Sequence, residues 1–153
     1  MSATEQLALR IERVFNAPRR RVFAAFTEPE QIRQWSAPVG ARVAEGEGVV
    51  SPGERWRVVM EDETSGQRYV ALGTYLEVEP PRWLRYTHGW QGEGETFEDV
   101  AAHATVVTVE MFDEGGRTRV VMIQTGFESI ASRDGHDQGW TSCFSKLETL
   151  LGN

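Results

Sequence analysis

Cysteine is nearly absent from this sequence, and so are the residue clusters that bind metals. The single cysteine, Cys143, excludes an internal disulfide. The three histidines lie far apart, and none stands at metal-ligand spacing from a cysteine or from another histidine. Phosphate-binding loops, dinucleotide fingerprints and nucleophile elbows are also missing. We therefore predict no metal site and no cofactor, and a binding protein rather than an enzyme.

Positive charge is scarce as well. The chain carries 16 Lys and Arg against 23 Asp and Glu, a net charge of −7. Nucleic acid needs a basic surface and the only basic cluster is the run 19–21, so we predict no nucleic-acid partner. No apolar run approaches the roughly 18 residues of a membrane span, and the N-terminus lacks the features of a signal peptide. We therefore predict a cytoplasmic protein without a membrane partner.

What the sequence does contain is regular apolar periodicity. Alternation predicts strands over residues 7–15, 54–60, 69–80, 83–90, 103–112 and 118–127. Helical spacing predicts two short helices within residues 18–35 and a long helix over about 132–151. The segment 36–54 predicts one short strand with loops, and 92–99 predicts a loop. Repeats and linkers are missing, so we predict one domain over residues 1–153.

The last helix indicates how these elements pack. Consecutive strands joined by tight turns predict an antiparallel sheet with one buried side. The helix has a broad apolar face that carries Trp140, Phe144, Leu147 and Leu151. Such a helix is the natural cover for the buried side of the sheet. The sequence therefore predicts an α+β fold in which the helix lies in the concave side of a curved sheet.

Four segments carry a family resemblance. They are RVFNAPRRRVFAAFTEPEQIRQW (13–35), PGERWRVVM (52–60), GTYLEVEPPRWLRYTHGW (73–90) and GWTSCFSKLETLL (139–151). In these segments the chain resembles the SRPBCC or START-like superfamily, and within it the branch named after the activator of the heat-shock-protein-90 ATPase. The resemblance implies the helix-grip fold, with six to seven antiparallel strands wrapped around the C-terminal helix and two short helices after the first strand. Two positions depart from the family pattern, because Ser36 stands where a second tryptophan is common and Gln124 where a histidine is common.

The resemblance also implies a cavity, because similar proteins enclose lipids, hormones, polyketides or other apolar molecules between the sheet and the long helix. Strand parity and the helix face then predict these ligand-binding residues: Trp56, Met60, Tyr86, His88, Trp90, Met111, Met122, Gln124, Trp140 and Phe144. Three are methionines, which suit an adaptable pocket, and three are polar side chains that need a partner once buried. The same parity places Leu72 and Leu76 inward. Met111→Trp is then expected to block binding without unfolding the protein.

Three functions stay open on the sequence, as does a solid core with no cavity. The first is a carrier, sensor or sequestering protein for a small apolar or aromatic ligand. The second is a co-chaperone in contact with the chaperone, although the chain resembles only the helix-grip part of the eukaryotic activator. The third is an aromatase/cyclase-like enzyme with His88 and Tyr86 as its acid–base pair. The oligomeric state is open, and base rates for soluble oligomers favour a homodimer.

Overall fold

The fold is built on a seven-stranded antiparallel sheet, seen in a computed structural model that describes residues 7–93 and 96–152. The strands are β1 Ala8–Phe15, β2 Ala41–Gly48, β3 Arg55–Asp62, β4 Arg68–Glu79, β5 Trp83–Trp90, β6 Thr105–Glu114 and β7 Arg117–Thr125. The helices are α1 Arg19–Thr27, α2 Pro29–Trp35, α3 Phe97–Ala102 and α4 Ile130–Leu150. Across the sheet the strands lie in the order β1-β7-β6-β5-β4-β3-β2.

This architecture confirms the predicted helix-grip fold. The sheet is curved, two short helices follow β1, and a long helix ends the fold. Pro29 occupies the first turn of α2, where its fixed φ suits the helix and its missing N–H costs nothing. Within the described ranges, no helix combines the length and the apolar character that a membrane span requires.

The β6–β7 hairpin follows from its two-residue turn. Glu114 pairs with Arg117, and the two glycines between them, Gly115 and Gly116, have positive φ angles of 67° and 91°. Two successive positive φ angles are what a tight hairpin turn of this kind requires, and glycine adopts them without steric cost. This tight turn joins the strands predicted over 103–112 and 118–127, and the register places Gln124 opposite Val107.

The loop predicted at 92–99 is partly wrong, because helix α3 begins there. The Thr96 hydroxyl accepts a hydrogen bond from the Asp99 N–H at 3.1 Å, and the Asp99 carboxylate accepts one from the Thr96 N–H at 3.3 Å. This reciprocal cap satisfies two backbone donors that the first helical turn leaves unpaired. The glycines that precede Thr96 in the sequence indicate a loop, so the capping signal was missed. Gly94 and Glu95 of this segment lie outside the described residues.

A bulge in β4 changes which of its residues face inward. The register with β5 shifts between Tyr75 and Glu77, so parity reverses along the strand. Parity counted back from Val78 therefore gives the wrong face for the first part of β4. Tyr75 is buried inside, whereas Leu76 is 40% exposed. The inward orientation predicted for Leu72 is wrong for the same reason. Leu72 is nevertheless buried, because other parts of the protein cover it.

Helix α4 packs tightly only along its C-terminal half. Its buried residues are Cys143, Phe144 and Leu147. Phe144 meets Phe15 and Phe26 edge-on, with ring centroids 5.8 and 6.2 Å apart. Edge-to-face contacts of this kind stabilise aromatic clusters beyond the area they bury. The core is therefore filled at this end of the helix.

Candidate ligand-binding site

Two adjacent spaces lie between the sheet and the helices. The first, called the chamber, has a volume of about 110 Å³ and lies between α2 and the inward faces of β2 to β5. The second, called the groove, has a volume of about 490 Å³ and runs between the N-terminal half of α4, the loop after α2 and the ends of β3 and β5. Ser36, Met60, His88 and Trp140 line both spaces, and we call these four residues the neck.

The chamber is walled mostly by aromatic and aliphatic side chains. Tyr86 meets Trp56 and Tyr75 edge-on, at centroid distances of 5.8 and 5.9 Å. Burial raises the pKa of Tyr75 to about 12 and raises the pKa of Tyr86 as well, so both phenols stay protonated at neutral pH. Two charged residues, Arg33 and Glu47, reach the lining from exposed positions at its margin. The interior of the chamber is therefore uncharged.

The groove is open because α4 presents small residues to it. Ala131, Gly135 and Gly139 all line the groove, and their spacing of four places them on one helix face. A Cβ added at Gly135 or Gly139 would meet no atom within 4 Å, so close packing does not demand glycine there. Each glycine lowers helix stability by about 1 kcal/mol relative to alanine. The helix therefore has small residues on this face although close packing does not require them, and open space lies beside the face.

The loop after α2 forms the opposite wall of the groove, and two polar side chains of α4 form hydrogen bonds with it. The Val39 N–H donates to Ser142 Oγ at 2.7 Å. One helical turn further on, Lys146 donates to the carbonyl oxygens of Pro38 at 3.2 Å and of Ala41 at 2.9 Å. These bonds fix the loop over α4 and leave the Val39 side chain 70% exposed at the edge of the groove.

His88 stands in the neck as a neutral imidazole. It is 4% exposed, and its ring centroid lies 5.2 to 5.9 Å from those of Trp56, Trp90, Trp140 and His136. Removal from water, and to a smaller extent the neighbouring His136, lowers the pKa of His88 to about 3. A neutral imidazole has one donor and one acceptor nitrogen. His88 can therefore bind a polar group but contributes no charge.

A chain of buried hydrogen bonds anchors Trp140 across the neck. The Trp140 indole N–H donates to Gln124 Oε1 at 2.8 Å, and Gln124 Nε2 donates to Thr105 Oγ1 at 2.8 Å. The Thr105 hydroxyl then donates to the His88 carbonyl oxygen at 2.9 Å. Because the bonds connect β5, β6 and β7 to α4, they fix the indole ring in the wall of both spaces.

A second indole, that of Trp90, ties the end of β5 to the first turns of α4. Trp90 Nε1–H donates to His136 Nε2 at 2.9 Å, and His136 Nδ1 lies 2.7 Å from the Ser132 carbonyl oxygen. Since an indole nitrogen can only donate, His136 Nε2 must be the acceptor and Nδ1 must carry the proton. Trp90 and His136 thereby form one end of the groove.

The comparison with known families decides where this chain is placed. Residues 16–152 match the family described as Activator of Hsp90 ATPase homolog 1-like protein. The chain belongs to this family. The resemblance seen in the four sequence segments is thereby confirmed. No curated protein matches the chain.

Solved structures share the fold over nearly the whole length of this family member. The AHSA1 protein of Silicibacter pomeroyi superposes with a TM-score of 0.81 at 26% identity, over 94% of this chain and 96% of that one. A Rhizobium leguminosarum protein gives a TM-score of 0.76 at 25% identity, over 94% and 93%. A Chromobacterium violaceum protein gives 0.80 at 21% identity, over 95% and 98%, a likeness that shows the fold alone.

The structure brings together six of the ten predicted ligand-binding residues of this family member. Those at the chamber, the neck or the groove are Trp56, Met60, Tyr86, His88, Trp90 and Trp140. Met111, Met122 and Phe144 lie in the closed core, each at most 1% exposed, and line neither space. Gln124 lies behind Trp140 as its hydrogen-bond acceptor. A role in ligand binding stays a prediction for the six.

Strand parity missed two parts of the site. Tyr75 was missed because the bulge in β4 reverses parity along the strand, and no sequence pattern marks the bulge clearly. The groove face of α4, with Ala131, Gly135 and Gly139, does have a signal. Between Ile130 and Trp140 the helix carries no large apolar residue, while small residues recur every four positions. That combination indicates a helix whose first half leaves space beneath it.

We expect the free energy of unfolding to fall as the pH drops below about 6.5, because of His88. Its pKa is about 3 in the folded protein against an ordinary value of 6.5, so the unfolded chain takes up the proton first. The stability due to neutral His88 is complete above the unfolded pKa and declines toward the folded pKa, by about 1.4 kcal/mol per pH unit. Urea unfolding at about pH 7.5 and about pH 5 should therefore differ by roughly 2 kcal/mol.

The His88→Gln variant is the control for this pH dependence, since glutamine keeps polar atoms but does not titrate. Its unfolding free energy should change less over the same interval, by the amount assigned to His88. The carboxyls of Glu12, Glu61 and Asp62 have lowered pKa values, owing to arginine partners for the two glutamates and backbone N–H donors for Asp62. They therefore titrate below this interval. Equal pH dependence in the two proteins would contradict the assignment.

Proposed function

We propose that this protein binds a small apolar or aromatic molecule in the chamber and the groove, as a carrier, sensor or sequestering protein. The observation that carries the proposal is the neck, whose four residues line both spaces, so that a chamber of 110 Å³ lies directly beside a groove of 490 Å³. Small-molecule sites usually measure about 300–1,000 Å³ and are mostly apolar with a few polar groups. Proteins of this fold commonly bind hydrophobic ligands, which supports the same function.

The chemistry of the neck and the chamber supports binding rather than acid–base turnover. A general acid or base works best when its pKa lies near the working pH. Burial lowers the pKa of His88 to about 3 and raises the pKa of Tyr86, so both move away from neutrality. An aromatase/cyclase-like enzyme would then have to act by positioning its substrate alone. The co-chaperone hypothesis is supported only by the family description.

Native mass spectrometry of the purified protein tests the proposal, with organic extraction of whatever is bound. We expect a stoichiometric extra mass that disappears on denaturation and whose identity can be read from the extract. Protein that purifies empty is titrated with the neutral dye N-phenyl-1-naphthylamine, whose fluorescence should rise and saturate at one dye per chain. Protein that carries no extra mass and shows no saturable dye binding would contradict the proposal.

A further inference from the structure

Three buried polar atoms at the chamber have no hydrogen-bond partner. They are Ser36 Oγ, Trp56 Nε1 and His88 Nδ1, and no other buried side-chain nitrogen or oxygen within the described ranges is unpaired. All three residues line the chamber. Elsewhere buried polar groups are satisfied, as the two bonds of Gln124 illustrate. Since a buried polar group without a partner is costly, this concentration at one place points to a group that an occupant supplies.

Trp56 sets the clearest requirement on that occupant. An indole N–H can only donate, so its partner has to be a hydrogen-bond acceptor. Gly73 is paired with Trp56 across the strands, and a Cβ there would lie 2.8 Å from Nε1, so the indole nitrogen lies close against the backbone of β4. The other two atoms, His88 Nδ1 and Ser36 Oγ, can each donate or accept. These two atoms can therefore pair with either a donor or an acceptor of the occupant, whereas Trp56 pairs only with an acceptor.

The surroundings disfavour an ionic group at this place. The buried polar side chains of the described residues are His88, Thr105, Thr118 and Gln124, and none is charged at neutral pH. Arg33 and Glu47, the charged residues of the chamber lining, are exposed and opposite in sign. A carboxylate bound beside Trp56 would lose its hydration without gaining a buried cation.

The size of the chamber limits what reaches these atoms. An apolar cavity of about 150 Å³ accommodates benzene, so the chamber volume of 110 Å³ limits an occupant to at most one small ring. Anything larger has to continue through the neck into the groove. The ring therefore enters first, and its polar substituent lies at the chamber wall.

On the basis of the proposed function, we propose that the ligand is neutral and inserts a single ring bearing a hydrogen-bond-accepting oxygen into the chamber, where the oxygen accepts from Trp56 Nε1–H. A ketone, an aldehyde or an ether on an aromatic ring has this chemistry. His88 and Ser36 complete the polar contacts, and the apolar remainder of the ligand occupies the groove.

Three probes with the same ring test the inference: acetophenone, ethylbenzene and benzoate. They are titrated into ¹⁵N-labelled protein, in which the indole N–H groups of the five tryptophans give separate signals. Acetophenone should bind about tenfold more tightly than ethylbenzene and shift the Trp56 indole signal downfield. Benzoate should bind roughly 100-fold more weakly than acetophenone, because its charge has no partner.

Two matched variants locate the effect. Trp56→Phe removes the N–H but keeps an aromatic ring, so the preference for acetophenone over ethylbenzene should disappear while ethylbenzene still binds. Trp83→Phe removes an indole whose N–H donates to Glu77 Oε2 at 2.5 Å on the surface, and it should leave the preference unchanged. A preference that survives Trp56→Phe overturns the assignment to Trp56.

The outcomes separate this inference from the proposed function. Ethylbenzene binding as tightly as acetophenone, or benzoate binding most tightly, overturns the neutral-acceptor ligand but leaves an apolar binding site. Failure of all three probes to shift the signals of any chamber residue, together with empty protein that does not bind dye, overturns both.

Discussion

Replacing Met60 by tryptophan is expected to lower the affinity for N-phenyl-1-naphthylamine by about 10- to 100-fold. Met60 lies in the neck and lines both the chamber and the groove, so an indole there takes up space in both. A ligand must then displace a packed ring, and overpacking of this kind costs about 1–3 kcal/mol. Fluorescence titration of the wild type and of Met60→Trp measures the change.

Two further variants make this result specific to the neck. Met60→Leu nearly conserves volume and should bind the dye within about threefold of the wild type. Met111→Trp acts in the closed core, where Met111 is 1% exposed, and should lower the free energy of unfolding by about 1–3 kcal/mol instead of blocking the site. This corrects the expectation from strand parity that Met111→Trp fills the cavity. Wild-type affinity in a folded Met60→Trp protein would place the site elsewhere.

The Gly73→Ala substitution is expected to lower the free energy of unfolding by about 3 kcal/mol or more. An added Cβ would lie 1.9 Å from the Thr87 carbonyl oxygen and 2.8 Å from Trp56 Nε1. The first of these atoms belongs to the backbone of β5 and cannot rotate away. Alanine therefore has to separate β4 from β5 or tilt Trp56 out of the chamber wall. Urea unfolding measures the loss.

Gly46→Ala is the matched control, because Gly46 also lies in a strand but has nothing within 4 Å of an added Cβ. It should leave the stability unchanged or raise it by up to about 1 kcal/mol, since glycine weakens a strand interior. If the two glycine variants change the free energy of unfolding equally, the close approach of β5 is not the reason why position 73 requires glycine.

Much of the fold could be predicted because its determinants are local. Alternation in residues 103–127 and the turn at Gly115 and Gly116 are readable over a few positions, and the structure contains that hairpin. The errors arose where a local pattern was interrupted. The bulge after Tyr75 reverses parity, and the cap at Thr96 starts a helix inside a glycine-bearing segment.

The candidate site could be predicted only in part, because facing inward does not distinguish a packed side chain from one beside open space. Parity placed Met60 and Met122 alike, yet Met60 lines the neck while Met122 is fully buried in the core. Gln124 was correctly expected to need a hydrogen-bond partner once it is buried. Its partners are Thr105 and Trp140, on elements distant in sequence, and no spacing rule identifies them.

The sequence by itself determined that strands alternate, that a long apolar-faced helix ends the fold, and that between Ile130 and Trp140 this helix has no large apolar side chain with which to fill the space beneath it. Only the tertiary structure decided that this space lies beside a chamber at Met60 and His88, and that Trp56 borders the chamber with an unpaired N–H. The physical reason is that a void depends on the separation between the helix and the sheet. That separation is set by how Phe144 and its neighbours pack at the opposite end of the helix, through contacts between residues far apart in the chain.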